Sequence, residues 1–172
     1  MILIDGYNLI YASEELSGLA SGDLEAAREE LIRRLADYAA ARGTQVDIVF
    51  DGAGRGGGSE STRRSALLTV TFTRAGKTAD AYIEGLSCGA GESGSRGATV
   101  VTGDYEQQKV VLGAGMLRMS SREFLEEMRE CEEETRVRLR ERSRASGRVR
   151  LDRRLPDDVK DALIRLRNRD KA

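Results

Sequence analysis

The chain has 172 residues, 40% of them hydrophobic and 33% charged, with a formal net charge of −1. That size suits one α/β domain with a short appendage, and the balanced total charge by itself points to no polyanionic partner. No histidine is present, which excludes His-based acid/base catalysis, Ser–His and Cys–His nucleophile pairs and most zinc sites, and leaves polar chemistry to carboxylates, lysines or a carboxylate-bound hard cation.

Met1 to Ile4 is a short apolar run closed by Asp5-Gly6, and it predicts a buried parallel strand. The N-terminus itself has no basic segment followed by an apolar one, so no signal peptide is expected, and no apolar run reaches the ~20 residues of a membrane span. A cytoplasmic protein without membrane contact is therefore expected, and Cys88 and Cys131, far apart, read as reduced thiols. Asp23 is placed to cap a helix running to about Arg42, with Leu24, Ala27, Leu31, Leu35 and Tyr38 at helical spacing and Gly43 as its stop. Val46 to Phe50 is a second strand, closed by Asp51-Gly52. Gly52 to Ser61 is rich in Gly and Ser and predicts a surface loop.

Leu67 to Phe72 is a third strand, and Thr78 caps a helix over Ala79 to Leu86. A second Gly/Ser-rich stretch follows from Gly85 to Gly97. Ala98 to Thr102 forms a fourth strand, closed by Gly103-Asp104, with a helix from about Tyr105 to Val111. After a turn at Gly113 to Gly115, Met116 to Met119 reads as a short fifth strand. Ser120-Ser121-Arg122-Glu123 has the form of a capping box and opens a long charged helix, with Phe124, Leu125, Met128, Val137 and Leu139 as apolar positions. Pro156 suits the first position of a last short helix. Strands alternating with helices at this spacing predict an α/β fold, a central parallel sheet with helices on both faces. The boundary falls near Ser120, giving an α/β body over 1–119 and a charged helical extension over 120–172.

Three of these strands end in an acid: Asp5, Asp51 and Asp104. A fourth acid, Asp80, sits at the start of the helix after the third strand. In open α/β sheets, ligands bind outside the carboxyl ends of the strands, so these acids are placed to share one crevice. Gathered carboxylates raise one another's pKa values, and a divalent cation relieves the repulsion. Such a cation suits phosphodiester cleavage without histidine. An ordinary Asp-Gly turn is the bland reading of any single pair, and it fits Asp51-Gly52 best because more glycines follow. Asn8 is either an amide partner in the site or a local cap. Thr102, and Thr78 beside Asp80, are placed to orient a carboxylate or phosphate, or are a strand residue and a helix cap.

Leu3-Ile4-Asp5-Gly6-Tyr7-Asn8-Leu9-Ile10 resembles the opening of the NYN group of PIN-like ribonucleases. Val49-Phe50-Asp51-Gly52, Phe72-Thr73, Thr78-Ala79-Asp80 and Val100-Val101-Thr102-Gly103-Asp104 follow in that group's order. The stretch from Gly115 to Phe124 is similar to the bacterial YacP-like branch. The resemblance covers most of the chain. It implies a PIN-like three-layer fold and endoribonuclease activity with Mg²⁺ or Mn²⁺. Asp5, Asp80 and Asp104 match the family's acids, Asn8 its polar partner, and Asp51 a further acid. The YacP-like branch includes ribosome-associated mRNA endonucleases, so the resemblance implies mRNA and the ribosome as partners. The loop after Asp51 departs from the pattern in its glycine content, with Gly52, Gly54, Gly56, Gly57 and Gly58.

Residues 135–154 hold nine arginines (Arg136, Arg138, Arg140, Arg142, Arg144, Arg148, Arg150, Arg153 and Arg154) against two acids, a local charge of +7. The segment just before, Glu123 to Glu134, is acidic. Arginine suits bidentate phosphate contacts, so an RNA backbone is the expected partner of Arg136 to Arg150. A solvated helix paired with its own acids is the alternative. Arg63, Arg64, Arg74 and Lys77 read as exposed surface with the option of basic contacts near the crevice. The rival to an endoribonuclease is a non-catalytic RNA- or ribosome-binding factor on the same fold. An aspartyl phosphotransferase ranks behind both, because Tyr7 stands where a second aspartate would follow Asp5. A monomer is expected.

Overall fold

The computed structural model describes residues 1–52, 60–74, 76–79, 81–83, 85, 98–103 and 116–154, with side chains described to 144 apart from that of residue 60. By internal packing the chain forms two compact units, Met1–Glu132 and Glu133–Ala172. In the first, strand β1 (Ile2–Asp5) runs directly into helix α1 (Gly6–Ala12), which is followed by α2 (Glu14–Gly22) and α3 (Leu24–Arg42). Strands β2 (Val46–Phe50), β3 (Glu60–Arg63), β4 (Leu68–Phe72), β5 (Thr99–Val101) and β6 (Leu117–Met119) follow, and helix α4 covers Ser121–Arg154.

The caps explain the helix starts. Asp5, Ser13 and Asp23 each accept a bond from a backbone N–H three residues on, so one side chain begins each of the first three helices. Gly43, at φ +63°, ends α3 in the left-handed conformation that glycine adopts without strain. Neither α1 nor α2 is expected from the sequence pattern. Both are short, and α1 follows its strand without a loop, so neither gives a long 3.6-residue period.

The sheet order is β3-β4-β2-β1-β5-β6. Every neighbouring pair is parallel except β3 with β4, which is antiparallel. The strands bury both faces. Ile4, Ile48, Phe50 and Val101 join one apolar cluster with Leu9, Leu16, Leu31, Leu35 and Phe124 from the helices. Leu3, Val49 and Val100, their neighbours along the same strands, join a second cluster with Ala79, Ile83 and Met116. Alternation along each strand thus serves two helical layers, and the three-layer α/β architecture expected from the sequence is the one observed.

Strand β3 corrects the reading of Gly52 to Ser61 as loop throughout, since Glu60 and Ser61 pair with Phe72 and Thr71. It is a polar edge strand with no apolar alternation, held by ladder bonds and by a 2.8 Å hydrogen bond between the Ser61 and Thr71 hydroxyls. The helix expected over Tyr105 to Val111 and the one opened by Pro156 lie outside the described residues. No helix among the described residues is long and apolar enough to cross a membrane.

The first turns of α4 belong to the first unit. Phe124, Leu125, Met128 and Cys131 are buried in the first cluster. Tyr38 donates to Glu127 (2.6 Å), and Arg34 bonds Glu132 through two nitrogens (2.8 and 3.2 Å) and Glu15 through a third (3.1 Å). In the second unit, Arg136 pairs with Glu133 at 2.5 Å and Arg138 with Glu134 at 3.7 Å. Arg140, Arg142 and Arg144 are exposed and form no ion pair among the described side chains.

Candidate active site

The strand order locates the crevice. From β1 the chain moves outward through β2 to β4, then returns to place β5 on the other side of β1. The switch point lies between β1 and β5, where the crevice of an open α/β sheet opens at the carboxyl ends. Asp5 ends β1 there, and Thr102-Gly103 follow β5 directly.

Asp5 is both a strand end and a helix cap. Its Oδ1 accepts the Asn8 N–H at 3.0 Å, which ties its carboxylate to the first turn of α1. The turn is tight because Gly6 lies against Phe50. A Cβ at Gly6 would stand 2.3 Å from the ring. Phe50 cannot yield easily, since it is fully buried, stacked on Phe72 and edge-on to Tyr7. Tyr7 is half-buried, and its hydroxyl accepts from Arg28 at 3.2 Å, so it is both core and wall.

Asn8 bridges the switch point. Its Oδ1 accepts the Gly103 N–H at 3.1 Å and the Ser121 hydroxyl at 2.8 Å. A Cβ on Gly103 would stand 2.6 Å from that same oxygen, so glycine is required there for the bridge. Thr102 is fully buried, and its N–H donates to the Met119 carbonyl at 3.3 Å, which continues the β5–β6 pairing past the strand end. The capping box before α4 forms as expected. Glu123 accepts from the Ser120 N–H (2.8 Å) and hydroxyl (2.6 Å), and the Glu123 N–H donates back to Ser120 Oγ (3.2 Å). Those bonds from Ser120 hold the Glu123 carboxyl below its ordinary value.

Asp51 lies on the other side, beyond β2. Its carboxylate accepts from the Ala79 N–H, so it caps the helical turn that begins there. Thr78 also caps that turn, accepting the Ala81 N–H at 3.1 Å. Thr73 is fully buried and fixes the segment between, donating its N–H to the Phe50 carbonyl (2.9 Å) and accepting the Gly52 N–H (2.9 Å).

Of the candidate residues, Asp5, Asn8, Asp51, Thr78 and Thr102 all sit at the carboxyl end of the sheet. Asp80 and Asp104 lie outside the described residues, and so do the side chains of Arg148 and Arg150. Among the described residues no three acids, cysteines or histidines converge on a metal position. The Asp5 carboxylate, an oxygen donor in a chain without histidine, fits a hard cation rather than a soft one. Sequence reasoning missed Ser121 and the role of Gly103. Ser121 stands in the capping-box motif but is not its cap, and the bond to Asn8 spans 113 residues.

The model of the YacP-like NYN domain matches residues 2–168. The chain is 35% identical over 153 residues to the uncharacterized protein YacP of Bacillus subtilis (strain 168), covering 88% of this chain and 89% of that one. It is similar to the crystal structure of Rae1 (YacP) from Bacillus subtilis, with a TM-score of 0.70 and 31% identity over 99% of this chain and 95% of that one. A mutant of the same Bacillus subtilis protein gives a TM-score of 0.68 and 33% identity over 83% and 82%. The chain belongs to the YacP-like NYN domain family, a group with a nuclease-like, PIN-like fold.

Proposed function

We propose that the chain is a Mg²⁺- or Mn²⁺-dependent endoribonuclease that cleaves mRNA in association with the ribosome, acting as a monomer in the cytoplasm. Residues 1–119 supply the catalytic region and residues 120–172 the extension that holds RNA. The observation that carries the reading is the bridge at the switch point, where Asn8 joins the Asp5 turn to Gly103, the residue before Asp104. Family membership supplies the activity class.

In this reading Asp5, Asp80 and Asp104 hold the cation, with Asp51 as a further acid. A divalent cation bound there neutralises charge on the phosphate during cleavage. Asp5 presents its carboxylate from a turn fixed by its own cap, so little reorganisation accompanies binding. Asn8 orients the phosphate. Thr78 and Thr102 orient the ligand or the phosphate. Arg136, Arg138, Arg140, Arg142, Arg144, Arg148 and Arg150 grip the RNA backbone. The unpaired state of Arg140, Arg142 and Arg144 among the described side chains favours this role over a purely self-paired helix.

The test is cleavage of mRNA, free and ribosome-bound, by the purified protein with Mg²⁺, Mn²⁺ or EDTA. Internal cleavage with either cation and none with EDTA supports the reading. RNA binding without cleavage under every condition supports the non-catalytic factor instead.

A further inference from the structure

We infer that Ser121 is a positioning residue for this site, acting through Asn8 by committing the amide oxygen so that the NH₂ serves the substrate phosphate. The inference rests on the endoribonuclease reading and adds to it a residue and a direction for the Asn8 amide.

The orientation of an asparagine amide follows from partners whose role is fixed. The Gly103 backbone N–H can only donate, so the Asn8 atom 3.1 Å from it is the oxygen. The Ser121 hydroxyl reaches that oxygen too, at 2.8 Å. A carbonyl oxygen has two lone pairs, and here both are taken. The oxygen therefore has no further electron pair for a cation, and Asn8 meets the substrate through its nitrogen, as a donor. A donor beside the Asp5 turn suits a non-bridging phosphate oxygen.

Ser121 is built for this task. It is 3% exposed, whereas Ser120 beside it is half-buried and occupied with Glu123. The capping box fixes the first turn of α4, and that turn sets the Ser121 hydroxyl. The Gly103 contact limits the other side, since no Cβ fits there. Asn8 is held at three points: its own N–H by Asp5 close by, and its amide oxygen by Gly103 and Ser121 from far along the sequence. Removal of the hydroxyl leaves Gly103 as the sole fixed partner of that oxygen and frees the amide to rotate.

The experiment is a double-mutant cycle on the full chain with Ser121→Ala, Asn8→Ala and the pair, plus Ser121→Thr. Initial rates on a single-stranded RNA, Mn²⁺ affinity by electron paramagnetic resonance and Tm are measured for each. Ser121→Ala is expected to lower kcat about tenfold, the loss of one positioning hydrogen bond, and Asn8→Ala about a hundredfold, the loss of one phosphate donor. The double variant should be no slower than Asn8→Ala alone, because Ser121 acts only through that side chain. Ser121→Thr, which keeps the hydroxyl, should recover most of the rate, and Mn²⁺ affinity should not move in any variant. An undiminished second tenfold loss in the Asn8→Ala background, or an unaffected Ser121→Ala rate, overturns the positioning role. A fall in Mn²⁺ affinity in Asn8→Ala makes Asn8 a cation ligand and overturns the donor assignment. If wild type cleaves no RNA with either cation, the endoribonuclease reading itself fails, and this inference falls with it.

Discussion

Residues 121–132 and residues 133–154 belong to one helix but are composed for different surroundings. The first segment places Phe124, Met128 and Cys131 at helical spacing and buries all three. Three of its polar residues have distant partners: Ser121 bonds Asn8, Glu127 bonds Tyr38 and Glu132 bonds Arg34. The second segment buries none of its described side chains fully, and its ion pairs are local, three or four residues apart. Even its apolar positions, Val137 and Leu139, are 42% and 58% exposed. Burial specifies one stretch and charge the other. Helical periodicity alone did not separate them, because both are equally good helices; the partner of each side chain does.

The largest expected effect lies at the switch point that the buried segment braces through Ser121 and Asn8, and it is functional. Asp5→Asn should lower Mg²⁺-dependent RNA cleavage at least about a thousandfold, since the charge at the switch point is lost. Asparagine is as good a helix cap as aspartate, so Tm should scarcely change. A large drop in Tm with proportionate loss of activity would make Asp5 a structural cap instead. Next is a packing effect. Gly6→Ala drives a Cβ into the Phe50 ring and should destabilise the fold by about 3 kcal/mol, read from urea unfolding. Arg34→Met, which keeps the buried stem but loses the bonds to Glu132 and Glu15, should cost about 2 kcal/mol in the same assay.

The exposed segment should respond in binding rather than stability. Replacing Arg140, Arg142 and Arg144 with Gln should leave Tm unchanged and lower the slope of log affinity for single-stranded RNA against log salt by about 2. An unchanged slope would return the arginines to a solvated, self-contained helix. The smallest effect is at the capping box. The Glu123 carboxyl is held below its ordinary value of 4.5 by the Ser120 hydroxyl and N–H. A depressed folded value means that its contribution is complete above 4.5 and fades as pH falls through the lowered value. Glu123→Gln should remove this part of the acid dependence of Tm.

Much of the fold was legible because its signals are local. Strands β1, β2, β4 and β5 are apolar runs closed by acid, threonine or glycine, and α3 carries both its caps, Asp23 and Gly43, in the sequence. The capping box at Ser120 and Glu123 was equally plain. What escaped was whatever depends on distant partners. Asp5 was legible as an acid but not as the cap of α1, and β3 is a strand only because β4 offers an edge to Glu60–Arg63. Asp51 and Ala79 meet across 28 residues, so a residue read as either a site acid or a turn also proves to be a helix cap. The bond from Ser121 to Asn8 has no local signature at all.

The proposed cation-dependent cleavage by Asp5, Asp80 and Asp104 is checked by following internal cleavage of a single-stranded RNA by wild type and Asp80→Asn, each with Mg²⁺ and with EDTA. Wild type should cleave with Mg²⁺ alone and the variant under neither condition, at unchanged Tm. Equal cleavage by both proteins, or cleavage that persists in EDTA, would contradict it.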